Sequence, residues 1–110
     1  MSWVKNLWGS GVDTSIVNLL KQGAIILDVR THAEYQEEHV PGSLHIPLHA
    51  LEPELDRLKE LKVPLVVCCA SGKRSGQACE LLKGVGIECE NGQSWKKALK
   101  AVQVIEEESN

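Results

Sequence analysis

The stretch Val66-Val67-Cys68-Cys69-Ala70-Ser71-Gly72-Lys73-Arg74-Ser75-Gly76 brings a thiol, a polar glycine-containing loop and two cations together at the end of an apolar run. Read as strand, loop and helix start, it sets Cys69 among the first backbone N–H groups of a helix, which have no partner within the helix. Those dipoles, with Lys73 and Arg74 nearby, favour the thiolate, which is the nucleophilic form of cysteine. Cys69 is therefore the candidate catalytic residue. Ala70, Ser71, Gly72 and Lys73 form the loop around it, with Arg74 and Ser75 at its far end.

A nucleophile at a strand end needs a sheet behind it. Ala24 to Val29 is a continuous apolar run rich in branched residues, apart from Asp28, as expected of a parallel strand covered on both faces. A carboxylate at the end of such a strand requires a partner to offset its desolvation, and Arg30 or Arg74 can provide one. Further strands are expected at 44–46, 65–68 and 87–90. Helices alternate with them. Asp13 or Thr14 caps the first, with Ile16, Leu19 and Leu20 on one face and Gly23 at its end. Thr31 and Glu34 form a capping box for a second, running from His32 past Tyr35 towards His39.

Leucines 51, 55, 58 and 61 predict an amphipathic helix over 51–61, with Pro53 tolerated in its first turn. Ala78, Leu81, Leu82 and Val85 predict another over 74–85, stopped by Gly84 or Gly86. Cys79 and Cys89 read as small core residues. Asn91-Gly92 reads as a turn into a last helix with Trp95, Ala98, Leu99 and Val102 on one face. The alternation implies an α/β fold, a parallel sheet of four or five strands with helices on both faces. In such sheets the site lies beyond the C-terminal strand ends, where Asp28 and Cys69 both fall.

The loop resembles that of the rhodanese family: a cysteine, two residues, Gly, one residue, Arg, then Ser or Thr, here Cys69, Gly72, Arg74 and Ser75. The resemblance extends to Asp28-Val29-Arg30, to Glu34-Tyr35 and to His39-Val40-Pro41-Gly42-Ser43-Leu44-His45-Ile46-Pro47, where Ser43 replaces the usual Ala. It extends also to the Gly before the Trp95-Lys96-Lys97 helix, with Asn91-Gly92 where the family usually has two glycines. It implies a single-domain rhodanese in which Cys69 carries sulfane sulfur as a persulfide, wrapped by loop amides. Sulfur would pass from thiosulfate or another persulfide to a thiol or protein acceptor. Arg74 and Ser75 would orient the loop, Lys73 would attract an anionic donor, and Asp28 and Arg30 would support the site. Many rhodaneses carry Arg where this chain has Ala70, which weakens the case for thiosulfate. His39 and His45 read as structural hydrogen-bonding residues.

Two other readings compete. A phosphatase or arsenate reductase of the related fold has a loop one residue longer, and the adjacent cysteines permit either count. Four residues, 70 to 73, separate Cys69 from Arg74, and five separate Cys68 from it. Gly72 and Ser75 fit the shorter loop, which suits a single sulfur atom, whereas a tetrahedral oxyanion needs the wider ring. The third reading is a binding module without turnover, whose usual mark is a lost cysteine.

With 110 residues the chain has the length of one domain, expected over 12–104, between an N-terminal segment 1–11 and a frayed acidic tail 105–110. Trp3 and Trp8 are expected to cover an edge of the core. A net charge of -3 with scattered basic residues gives no reason to bind nucleic acid or anionic lipid. No apolar run approaches the roughly 20 residues of a membrane helix, and the N-terminus lacks a secretory pattern. The expected setting is cytoplasmic, the expected assembly a monomer or weak dimer. The four cysteines are expected to be reduced thiols. Their spacing fits no zinc pattern, and neither metal nor cofactor is expected.

Overall fold

The chain alternates strand and helix through the computed structural model, which describes residues 11–109. In chain order the elements are α1 (Thr14–Lys21), β1 (Ile25–Asp28), α2 (His32–Glu37), β2 (Leu44–His45), α3 (Leu55–Glu60), β3 (Leu65–Cys69), α4 (Lys73–Gly84), β4 (Cys89–Ser94) and α5 (Trp95–Ser109). Among the described residues the strands form one four-stranded sheet in the order β2-β1-β3-β4, every neighbouring pair parallel. The expected N-terminal segment with Trp3 and Trp8 lies outside the described residues, apart from Gly11.

Alternation along the strands divides the core in two. Leu27, Val29, Leu65, Val67 and Cys69 pack with Leu58 of α3 and with Ala78, Cys79 and Leu82 of α4. Ile26, Val66 and Cys68 face the other way, against Ile16, Val17 and Leu19 of α1 and Ala98 and Ala101 of α5. The adjacent cysteines thus belong to opposite faces of the sheet. Asp13 is the cap of α1, its carboxylate accepting from Ser15 N at 3.0 Å and Ile16 N at 3.4 Å.

Four expectations give way. The helix over 51–61 is broken: short 3₁₀ turns occupy Leu48–Ala50 and Glu52–Glu54, and regular α-helix begins only at Leu55. Buried Leu51 thus anchors the connection between the turns, and Leu61 is exposed. Helix α4 buries Ser75, Ala78, Cys79 and Leu82, so its inner face is rotated from the expected one, and Leu81 and Val85 are each 36% exposed. Asn91-Gly92 lies inside β4 rather than in a turn, because the strand continues through a bulge. Val67 is opposite Asn91 and Cys68 opposite Gln93, leaving Gly92 as the extra residue. The acidic tail is not frayed. Helix α5 continues to Ser109, Val104 is buried, and Glu108 pairs with Lys21 of α1 at 2.7 Å.

Candidate active site

Strand β3 delivers Cys69 to its own last position, and the chain turns at once through Ala70, Ser71 and Gly72 into α4. The turn needs a positive φ at Gly72, 106°, and a side chain there would also crowd Gln93, whose atoms lie 3.3 Å from an added Cβ. Helix α4 opens with no side-chain cap, leaving its first N–H groups free for another acceptor. That acceptor is the sulfur. Gly72 N donates to Cys69 Sγ at 3.0 Å and Ser75 N at 3.4 Å, while Ser75 Oγ lies 3.3 Å away.

Burial works against ionisation of Cys69. Hydrogen bonds aimed at the sulfur, those of the backbone N–H groups of Ser75, Gly72 and Ser71 among them, outweigh it, so the thiol is more acidic than an ordinary cysteine. Its neighbour behaves in the opposite sense. Cys68 is 0% exposed; burial first, and then the Asp28 charge, push its thiol far up. One strand therefore presents two adjacent thiols of opposite character, and the shorter loop count coincides with the acidic one.

Around this centre the charged side chains pair in a way that sequence left open. Asp28, the last residue of β1, is partnered by Arg30 and not by Arg74. The Arg30 guanidinium donates to both carboxylate oxygens at 2.8 to 3.0 Å, and its backbone N–H adds a bond at 2.9 Å. Arg30 also donates to the Glu38 carbonyl at 2.7 Å and lies 4.9 Å from the Trp95 ring centroid. Arg74 reaches across to Glu34 of α2, Nη1 to Oε1 at 2.7 Å and Nη2 to Oε2 at 3.0 Å. The same carboxylate closes the Thr31 capping box. Glu34 is held down at about 2, chiefly by Arg74.

In sequence Glu34 reads as a capping residue and part of the Glu34-Tyr35 resemblance, and Asn91 as half of a turn; neither is expected to bond the loop. Asn91 Oδ1 accepts from Ser75 Oγ at 2.7 Å, and Nδ2 donates to the Gly72 carbonyl at 3.0 Å. The available signal was an asparagine at a position where the resembling family has glycine. Lys73, Ala70 and Ser71 are exposed. Ala70 opens onto a cavity of about 440 Å³ bounded by Arg30, Trp95, Lys96 and the carboxylates of Glu34, Glu37 and Glu38. A smaller cavity of about 200 Å³ lies at the other end of the strands, against Pro64 and Glu88.

The histidines pack on Tyr35. Its ring stacks on His39 at 3.8 Å and on His45 at 4.2 Å, and their ring nitrogens bond the carbonyls of Tyr35 and Arg30. Among the described residues no group of three His, Cys, Asp or Glu side chains is arranged to hold a metal, and no helix is long and apolar enough to cross a membrane.

A family model for the rhodanese-like domain matches residues 13–106. The chain belongs to the rhodanese family. Over 68 residues it is 37% identical to a thiosulfate sulfurtransferase, GlpE, of Pseudomonas savastanoi, covering 62% of this chain and 63% of that one. Over 61 residues it is 39% identical to the thiosulfate sulfurtransferase PspE of Escherichia coli, covering 54% and 59%. The match therefore spans less than two thirds of either relative. A solved rhodanese with anions from E. coli superposes with a TM-score of 0.62 at 34% identity, covering 68% of this chain and 91% of that one. The fold thus agrees with the resemblance.

Proposed function

We propose that this rhodanese is a sulfurtransferase that carries sulfane sulfur as a persulfide on Cys69. The observation that carries the reading is the sulfur itself, which accepts the Gly72 and Ser75 N–H groups at 3.0 and 3.4 Å. Fixed donors of this kind stabilise a sulfur anion in place. In the first half-reaction the Cys69 thiolate attacks the outer sulfur of the donor. The donor's S–S bond breaks with its electron pair leaving on sulfite or a thiolate, and Cys69–S–S⁻ remains. In the second, an acceptor thiolate attacks the outer sulfur and the Cys69 thiolate leaves. Atoms and electrons balance, so the cycle requires no metal or organic cofactor.

The cavity beside Ala70 is lined by three acidic residues, Glu34, Glu37 and Glu38, against two basic ones, Arg30 and Lys96, and Arg30 is committed to Asp28, so its lining is not positive on balance. This supports a small or protein-bound persulfide donor over the thiosulfate dianion, with a thiol or protein as acceptor. All four cysteines are free, which supports a reducing, cytoplasmic setting. The longer-loop phosphatase reading would need Cys68 as nucleophile, and its burial on the α1 and α5 face argues against it. The test compares sulfur transfer to a thiol from thiosulfate and from a low-molecular-weight persulfide. Faster turnover with the persulfide is expected. Aryl phosphate hydrolysis with no sulfur transfer from either donor would overturn the reading.

A further inference from the structure

Asn91 makes three hydrogen bonds that fix its amide. The Gly72 carbonyl can only accept, so it faces Nδ2 at 3.0 Å; the Gln93 N–H can only donate, so it faces Oδ1 at 2.8 Å. Oδ1 is therefore also the atom that meets Ser75 Oγ at 2.7 Å. A serine hydroxyl has a single hydrogen. Cys69 Sγ, 3.3 Å from the same oxygen, competes for it.

We propose that Asn91 is a positioning residue: by holding the Ser75 hydroxyl hydrogen it turns an oxygen lone pair, rather than a donor, towards Cys69 Sγ. The resting arrangement is then a relay in which the Cys69 S–H donates to Ser75 Oγ and the Ser75 O–H donates to Asn91 Oδ1. Loss of the sulfur proton leaves the backbone N–H groups of Gly72 and Ser75 as the anion's donors. The hydroxyl joins them only by leaving Asn91. The consequence for chemistry is a thiolate that is not over-stabilised. A thiol's intrinsic nucleophilicity falls as its pKa falls, so restraining that fall preserves attack on the donor sulfur.

The inference rests on Cys69 being the reacting thiol, and the experiment separates the two. Alkylation of Cys69 by iodoacetamide is followed against pH by peptide mass in the parent, Asn91→Ala, Ser75→Ala and the double variant. Asn91→Ala leaves the Gly72 carbonyl bonded to Gly76 N at 3.0 Å. Freed to donate to the thiolate, Ser75 should lower the Cys69 midpoint by roughly half a unit to one unit. Ser75→Ala should not raise the midpoint, since its hydrogen was not on the sulfur, and adding Asn91→Ala to it should change nothing further. A midpoint that rises or stays fixed in Asn91→Ala overturns the proposal. So does a rise in Ser75→Ala, which needs no alteration at Asn91, or an equal drop from Asn91→Ala without the Ser75 hydroxyl. A parent Cys69 that titrates no lower than an ordinary thiol would instead overturn the reading of Cys69 itself, and this inference with it.

Discussion

Asp28→Asn keeps the shape of a side chain that is 0% exposed and removes its charge. The parent carboxylate receives the Arg30 Nε and Nη2 groups and the Arg30 backbone N–H, all within 3.0 Å. An asparagine offers one acceptor oxygen in place of two, so part of the guanidinium fork meets an amide NH₂. Arg30, itself 4% exposed, would retain only the Glu38 carbonyl and the Trp95 face as compensation. Removing one partner of a buried ion pair costs about 3–5 kcal/mol, a large part of the 5–15 kcal/mol that holds an ordinary domain folded. At about 4 °C per kcal/mol for a domain near this size, the melting temperature should fall by roughly 12–20 °C. Urea unfolding at constant m-value measures the loss. Asp28→Asn combined with Arg30→Met should lose less than the sum of the two single changes, because the double variant buries no unpaired charge. A cost below about 1 kcal/mol for Asp28→Asn would refute the reasoning, as would strict additivity.

The Glu34–Arg74 pair should behave differently, because both side chains are about one third exposed. Glu34→Gln should cost less than about 1 kcal/mol of stability, yet slow sulfur transfer between a few-fold and about 100-fold by loosening the far end of the loop. The folded carboxyl sits at about 2 against its usual 4.5, so its stabilisation is complete above about pH 4.5 and fades as pH falls towards 2. Acid unfolding of Glu34→Gln should lack that component. Gly92→Ala would set a Cβ 2.8 Å from Val66 Cγ1 and 3.2 Å from the Val67 carbonyl oxygen. The expected loss is about 1–3 kcal/mol by chemical denaturation, partly relieved when Val66 is also shortened to Ala; a neutral Gly92→Ala would contradict the packing.

Much of this arrangement was legible before the structure because strong local patterns agreed with the topology. The Thr31–Glu34 capping box, the apolar runs of β1 and β3 and the loop from Cys69 to Ser75 each fix their own geometry. The misreadings fall where a local preference met a tertiary contact. Asn91-Gly92 is a favoured turn dipeptide, but here Gly92 is the bulge residue that lets β4 pass against Val66, and Asn91 turns inward to Ser75. The leucine spacing over 51–61 is helical, yet regular α-helix starts only at Leu55, beyond two 3₁₀ turns. Leu81 and Val85 share a spacing with Ala78 and Leu82, but small Ser75 and Cys79 permit the closer approach of α4 to the sheet, leaving the larger residues outside. Charge pairing was the least legible of all. Asp28 had two candidate arginines in sequence, and only the approach of α2 to α4 commits Arg74 to Glu34.

Whether Cys69 or the thiol beside it carries the transferred sulfur is open to direct measurement. Intact-mass and peptide-mass measurement after incubation with a low-molecular-weight persulfide tests it directly, using Cys69→Ser and Cys68→Ala, the latter chosen to avoid burying a hydroxyl in an apolar face. The parent and Cys68→Ala should each gain one sulfur, mapped to the peptide position of Cys69, and Cys69→Ser should gain none. A sulfur retained by Cys69→Ser, or lost from a folded Cys68→Ala, would contradict the account.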